Sequence, residues 1–265
     1  MTSQQTTGRL AGRNALIFGG SRGIGLGIAI EFAKEGANIM LAATDAARLA
    51  MAQEDLAQYG TTVRTLVADI SDQKACFSAV NDTITALDGL DILVNSAAVY
   101  IPRPFLDYET EDLERSYVVN VQGPFHAMQA ALPHMVEKNY GRVINVASTA
   151  GKWASKNQCV YNMSKHALVG LTRCVALEYA SHGITVNALC PGLVQTDMAE
   201  QLLDKQAAIN RTTPALLRAE LLKKVASGRL LDVAECGHFA VYLASSDAKG
   251  MTGQSVLLDG GMLFV

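Results

Sequence analysis

The chain has 265 residues, 49% of them hydrophobic and 18% charged, with a net charge of −3 and a sequence pI near 6.0. That length suffices for one sizeable core. Mild acidity without a lysine/arginine cluster argues against nucleic acid or an anionic membrane as the main partner, and no apolar run approaches the ~18 to 20 residues of a membrane-spanning helix.

The first residues are polar and lack the hydrophobic middle of a signal peptide, so residues 1–9 are expected as a loose tail and the address as cytoplasmic. Residues 10–265 read as one domain. Strand-like runs fall at Asn14–Phe18, Asn38–Ala42, Val63–Ala68, Ile92–Asn95, Arg142–Ala147, Thr185–Leu189 and Ser255–Leu258, separated by helix-like segments. Two of those helices are expected from Glu109 to Glu137 and Cys159 to Ser181, rich enough in apolar residues to bury two faces. Seven β units joined by helical crossovers predict an α/β fold: a doubly wound, mostly parallel, Rossmann-type sheet with helices on both faces. Its ligand cleft opens at the carboxyl ends of the strands, where Gly19, Asn95, Ser148 and Pro191 fall. The one shift in composition is a polar helical stretch at about 197–227, with Thr212-Thr213-Pro214 at its middle and no strand. The five cysteines are odd in number, scattered and never in Cys-x-x-Cys spacing, which favours free thiols. The five histidines show no ligand spacing, so no metal is expected.

Two clusters carry chemistry. The run Ala15–Phe18 leads into Gly19, Gly20, Ser21, Arg22, Gly23, Ile24 and Gly25, followed by the helix-like stretch Leu26–Glu35. Glycines serve where a backbone turns tightly against a pyrophosphate, and a helix start offers unpaired N–H groups to phosphates. Further on, Tyr161 and Lys165 lie four apart, one turn above each other on a helix face, and Ser148 lies thirteen residues before Tyr161 at a strand end. This grouping suits carbonyl/alcohol redox chemistry, in which a phenol gives its proton to a carbonyl oxygen and a serine hydroxyl hydrogen-bonds the developing alkoxide. Free tyrosine titrates near ~10, so a role near neutrality predicts a phenol lowered by about three pH units, roughly 4 kcal/mol, with the lysine cation as cause.

With both clusters in place, the chain resembles the short-chain dehydrogenase/reductase family from about Leu10 to Gly261. The family's Thr-Gly-x-x-x-Gly-x-Gly falls on Phe18, Gly19, Gly23 and Gly25, with phenylalanine in the threonine's place. Its Asn-Asn-Ala-Gly segment falls on Asn95, Ser96, Ala97 and Ala98, so two positions depart and altered local packing is expected there. The resemblance implies a catalytic set of Asn120, Ser148, Tyr161 and Lys165. In it Lys165 also holds the nicotinamide ribose, and Asn120 orders a water leading to Lys165. The implied cofactor contacts are Gly19, Ser21, Arg22, Gly23, Ile24, Gly25, Thr44, Asp69, Ile70, Asn95, Ala97, Tyr161, Lys165, Pro191, Gly192, Val194 and Thr196, with the Pro191-Gly192 turn and Thr196 meeting the nicotinamide amide. In the family the 197–227 segment is a mobile lid, and related chains are usually tetramers.

The implied reaction is hydride transfer between a nicotinamide cofactor and a ketone or secondary alcohol. At the end of the second strand, where NAD-dependent relatives carry an acidic residue, this chain has Ala43, then Thr44, with Arg22 in the glycine turn to pair with a phosphate. The pattern resembles the NADP branch, although Asp45 lies one residue beyond and a small loop shift would restore NAD. The Ser148–Lys152 stretch resembles that of acyl and polyketide ketoreductases, which points to a 3-oxoacyl-like or cyclic ketone as the small-molecule substrate; similar strings occur in NAD-dependent alcohol, sugar and polyol dehydrogenases. Relatives specific for 3-hydroxybutyrate carry a histidine and a lysine where this chain has Ala150 and Gln158, which disfavours that substrate. Tyr100, Lys152, Trp153 and Lys156 are placed to meet a substrate. A non-catalytic nucleotide sensor is the remaining class, but such proteins usually lose the tyrosine, lysine or serine, and here all three are present.

Overall fold

The computed structural model describes residues 8–264. The strands are β1 (Asn14–Phe18), β2 (Asn38–Ala43), β3 (Val63–Val67), β4 (Ile92–Asn95), β5 (Gly141–Val146), β6 (Ile184–Pro191) and β7 (Ser255–Leu258). They form one sheet in the order β3-β2-β1-β4-β5-β6-β7, and every pairing is parallel. All seven expected strands are present; inner strands such as β1 and β4 are buried throughout and read as unbroken apolar runs, while the edge strands β3 and β7 are only partly buried. Right-handed crossovers place α1 (Gly23–Lys34), α2 (Ala46–Ala57) and α9 (Val233–Ala244) on one side. The other side carries α3 (Gln73–Leu87), α4 (Thr110–Tyr117), α5 (Gly123–Lys138) and α6 (Cys159–Tyr179).

The strand order reverses between β1 and β4, which is where a doubly wound sheet opens a crevice. At that point Gly19 donates to the Ala42 carbonyl (2.8 Å) and Ser96 to the Phe18 carbonyl (2.9 Å), so the loops after β1 and β4 leave the sheet side by side. Phe18, in the threonine's place, is buried in the core cluster beneath α3 and α5.

The helix expected over Glu109–Glu137 runs without a gap from Thr110 to Lys138, but not as one regular α-helix. Between α4 and α5 the residues Val118–Gln122 form a π-helical turn, the kind of bulge that accompanies a redirected side chain. Here it turns Asn120 inward.

After β6 the chain leaves the sheet and returns at Leu231, which pairs with Val194 in an isolated parallel bridge. The excursion contains α7 (Asp197–Ile209) and α8 (Pro214–Leu222), packed together through Leu203, Ala207, Leu217 and Leu221. Thr196 and Thr213 cap the two helices through their side chains.

Candidate active site

The crevice is a cleft of about 980 Å³, at the upper end of the ~300–1,000 Å³ typical of ligand pockets. It runs from the glycine turn past Ala43 and Thr44, then past Asp69, Ile70, Ala97 and Val99, to Tyr161, Lys165 and Thr196. Two glycines shape its floor. A Cβ on Gly19, whose φ is +78°, would lie 2.5 Å from the Ala97 nitrogen, and one on Gly25 would lie 2.2 Å from the Gly19 carbonyl oxygen. The missing side chains therefore let the start of α1 close onto the turn, leaving its N–H groups facing the cleft. An elongated dinucleotide fits these residues: a backbone cradle for the phosphates at one end, and Tyr161 with Lys165 at the other.

At the end of β2, Ala43 and Thr44 line the cleft wall and Asp45 does not. Asp45 caps α2, accepting from the Arg48 amide (3.0 Å) and pairing with the Arg48 guanidinium (3.4 Å). Arg22 is exposed in the cleft wall and makes no ion pair among the described residues. Asp69 also lines the cleft, its carboxylate accepting from the Ser71 amide and hydroxyl; Asp72 is the residue that caps α3.

At the far end, β5 delivers Ser148 in an extended conformation into a tight turn, Thr149–Gly151. A Cβ on Gly151 would lie 2.8 Å from the Lys165 carbonyl, so glycine lets this turn rest directly on α6. Ser148 is thereby held beside Tyr161, where its hydroxyl favours the ionised phenol. The serine oxygen accepts from the Ala150 amide (3.1 Å), which leaves its own hydrogen free to donate. Lys165 is 2% exposed and donates to the Val146 carbonyl (2.9 Å), with its Nζ 5.6 Å from the centre of the Tyr161 ring.

The expected acidic phenol is not what this arrangement produces. Tyr161 faces the cleft, yet dense packing around its hydroxyl pushes it up to about 12, with the nearby Ser148 hydroxyl opposing. Burial also holds Lys165 down to about 8. A neighbouring ammonium favours the phenolate, but the desolvation that acts on both groups outweighs it here. The Cys190 thiol, fully buried near both groups, is raised for the same reason.

Asn120 lies behind the wall and is fully buried. Its Oδ1 accepts from the Val99 amide (2.9 Å), and its Nδ2 reaches the Val99 carbonyl (3.0 Å), Ser164 (3.0 Å) and Ser116 (3.3 Å). Ser164 in turn donates to the Tyr161 carbonyl (2.8 Å), so Asn120 ties the loop after β4 to α6. Asn95 is likewise buried, donating to Asn145 (2.8 Å) across the β4–β5 pair with its own Oδ1 unpartnered. Of the remaining expected contacts, Ser21, Ile24, Gly23, Ile70, Ala97 and Thr196 line the cleft. Pro191, Gly192 and Val194 do not; they shape the turn from behind, with Gly192 bonded to the Leu258 carbonyl (2.9 Å).

Glu111, Glu114 and Arg115 of α4 also line the cleft, and the sequence did not single them out. A second omission is Gln206. This buried α7 residue donates to the Tyr100 hydroxyl (2.9 Å), and the Tyr100 ring stands edge-on to Tyr161 at 5.0 Å. The cysteines are free thiols, as expected.

Comparison with known proteins agrees with this layout. A family profile described as Enoyl-(Acyl carrier protein) reductase matches residues 19–263. The chain is 39% identical to the uncharacterized oxidoreductase YxjF of Bacillus subtilis, over 93% of this chain and 96% of that protein. It is 36% identical to the D-beta-hydroxybutyrate dehydrogenase of Rhizobium meliloti, over 94% of this chain and 98% of that protein. The crystal structure of NAD+-bound xylitol dehydrogenase superposes with a TM-score of 0.92 at 30% identity, covering 95% of this chain and 99% of that one.

Proposed function

The chain belongs to the short-chain dehydrogenase/reductase family and is an NAD(P)-dependent oxidoreductase of ketones and secondary alcohols, and from that premise we propose that it uses NADPH to reduce a 3-oxoacyl-like or cyclic ketone. The nicotinamide cofactor, when bound in the glycine-lined cleft, supplies or accepts the hydride. Everything else falls to the protein. Tyr161 is the proton donor: a phenol kept neutral by burial holds the proton that the carbonyl oxygen takes in reduction. Ser148, its hydrogen uncommitted, donates to the same oxygen as negative charge develops. Lys165 holds its amine against the Val146 carbonyl below the phenol, where it meets the cofactor's ribose. Asn120 is the brace that fixes the loop after β4 to α6, and so fixes Tyr161.

The observation that carries this reading is that Tyr161 and Lys165 line one end of a cleft whose other end is the glycine turn, with Ser148 beside the phenol. The choice of NADPH is supported by the wall we assign to the ribose, where Ala43 and Thr44 present no carboxylate and Arg22 makes no ion pair among the described residues, while Asp45 is engaged with its own helix. Thr44, Asp69, Ile70, Ala97 and Thr196 complete the contacts we assign to the cofactor. The NAD+-bound neighbour keeps an NAD-dependent alcohol, sugar or polyol dehydrogenase as the second reading.

Residues 10–265 act as one catalytic domain with the 197–227 segment as its lid. We assign a cytoplasmic address, and no helix among the described residues is long and apolar enough to cross a membrane. A homotetramer is supported by the partly exposed Tyr117 and Phe125, which rim an apolar hollow with Val121, Ala167 and Leu171 on the α4–α6 face. Mixing the protein with NADPH and a panel of ketones tests the reaction: cofactor oxidation is expected, and its absence with every ketone would reject the assignment. Dissociation constants for NADPH and NADH test the cofactor, and tenfold tighter NADH would reject NADPH.

A further inference from the structure

Three observations meet beside the phenol of Tyr161. Tyr100 stands edge-on to it at 5.0 Å. Gln206, only 5% exposed, donates its amide to the Tyr100 oxygen at 2.9 Å. The hydrogen of that hydroxyl is directed to no acceptor among the described residues, whereas the neighbouring Tyr108 spends its own on the Ile101 and Asn157 carbonyls (2.8 and 3.3 Å). A phenol has one hydrogen to give, so Tyr100 combines an oxygen already supplied by Gln206 with a hydrogen still to be placed, one ring away from the group we assign to the reacting carbonyl.

We propose that Tyr100 is a specificity-determining residue that donates a hydrogen bond to a second, uncharged oxygen of the substrate, so that the enzyme selects a ketone carrying an ester, thioester or further keto group near the reacting carbonyl. The proposal rests on the ketone-reductase reading above and narrows its substrate class. Gln206 sets the orientation of the hydroxyl, because its donated N–H occupies the phenol oxygen and turns the O–H away from α7. This links lid position to substrate recognition: α7 must be seated for Tyr100 to present its hydrogen.

The preference for an uncharged oxygen follows from the surroundings. Tyr100, Tyr108, Asn157, Gln206 and Asn210 are all neutral, and they are linked by hydrogen bonds among themselves and to backbone. Of the cations nearby in the fold, Arg103 is paired with Asp112 (2.6 Å) and Arg218 with Glu200. Lys152 and Lys156 make no hydrogen bond to Tyr100, Tyr161 or Gln206 among the described residues. Lys165 lies beyond the Tyr161 ring with its amine engaged by the Val146 carbonyl, so a carboxylate brought against the Tyr100 wall would lose water and gain no direct ion pair, which disfavours it.

The test compares ethyl acetoacetate, 2-hexanone and acetoacetate, which offer a second neutral oxygen, no second oxygen and a charged one. Each is reduced by the wild-type enzyme and by Tyr100→Phe, with NADPH affinity measured in parallel. The expected result is at least tenfold higher kcat/KM for ethyl acetoacetate than for the other two. Tyr100→Phe should cut that figure about tenfold, chiefly through KM, as expected for one lost hydrogen bond to substrate. Its rate on 2-hexanone and its NADPH affinity should stay within twofold of wild type. Gln206→Leu, which frees the phenol to rotate, should show a smaller loss in the same direction, and Gln206→Lys should raise the relative rate on acetoacetate. Equal loss on ethyl acetoacetate and 2-hexanone, or no loss, overturns the role of Tyr100 while leaving the reductase assignment intact. Equal rates on acetoacetate and its ester in the wild type overturn the neutral-oxygen selectivity. No NADPH oxidation with any ketone would instead remove the reductase reading itself, and this proposal with it.

Discussion

Replacing Lys165 by methionine should change how stability depends on pH. Burial holds the ammonium at about 8 against 10.5 in an unfolded chain, and with the side chain only 2% exposed the penalty needs no large discount for solvent screening. At ~1.36 kcal/mol per pH unit, the fall corresponds to about 3 kcal/mol. Below pH 8 both states hold the proton and the folded protein carries the whole cost. Between about pH 8 and 10.5 the unfolded chain binds the proton that the folded chain has released, so stability rises with pH across that window. Methionine has no proton to release. The constant losses of the substitution, chiefly the Val146 carbonyl left without its partner, are the same at every pH and cancel when the two proteins are compared across pH. For a chain of 265 residues, with an unfolding entropy of ~2.1 cal/mol/K per residue, about 3 kcal/mol is roughly 5 °C in Tm. Calorimetry of both cofactor-free proteins at pH 7 and pH 10 should therefore show the wild type gaining about 4 °C on Lys165→Met, since the window is nearly crossed by pH 10. A difference in Tm that stays constant with pH would refute the claim that burial of a charged amine dominates this position.

Three further outcomes follow from the geometry. Gly25→Ala puts a Cβ 2.2 Å from the Gly19 carbonyl oxygen, so α1 must back away from the turn; a stability loss of about 1–3 kcal/mol and a loss of NADPH affinity exceeding tenfold are expected in thermal melts and fluorescence titration. Ala43→Asp places a carboxylate in the cleft wall at the ribose position, and repulsion from a 2′-phosphate should weaken NADPH at least tenfold while NADH tightens, as titration of both cofactors would register. Asn120→Ala removes the partner of the Val99 N–H and C=O, and denaturant unfolding should show a loss of about 2 kcal/mol or more, with kcat reduced further than NADPH affinity.

The middle of the sheet was legible because its strands are buried on both sides, so runs such as Asn14–Phe18 and Ile92–Asn95 stand out without any alternation to decode. The glycine turn and the Tyr161/Lys165 pair were legible for a similar reason: short-range spacing fixes their geometry. What escaped depends on partners distant in sequence. The π-helical turn at Val118–Gln122 exists because Asn120 bonds Val99 and Ser164, 21 and 44 residues away. Gln206 meets Tyr100 across 106 residues, and nothing near either position announces it. Asp45 sat within a residue of the ribose position in sequence, and only the α2 cap and the Arg48 pair decide where its carboxylate goes. The direction of the Tyr161 displacement was misjudged because a neighbouring cation is visible in sequence and the depth of burial is not.

The central claim is that the Tyr161 hydroxyl supplies the proton to the carbonyl oxygen, and the most direct measurement is ketone reduction by Tyr161→Phe beside the wild type, with NADPH affinity determined for both. The account predicts a fall in kcat of about 10²- to 10⁴-fold with NADPH affinity within about twofold. Turnover by the phenylalanine variant at a rate close to wild type would contradict it.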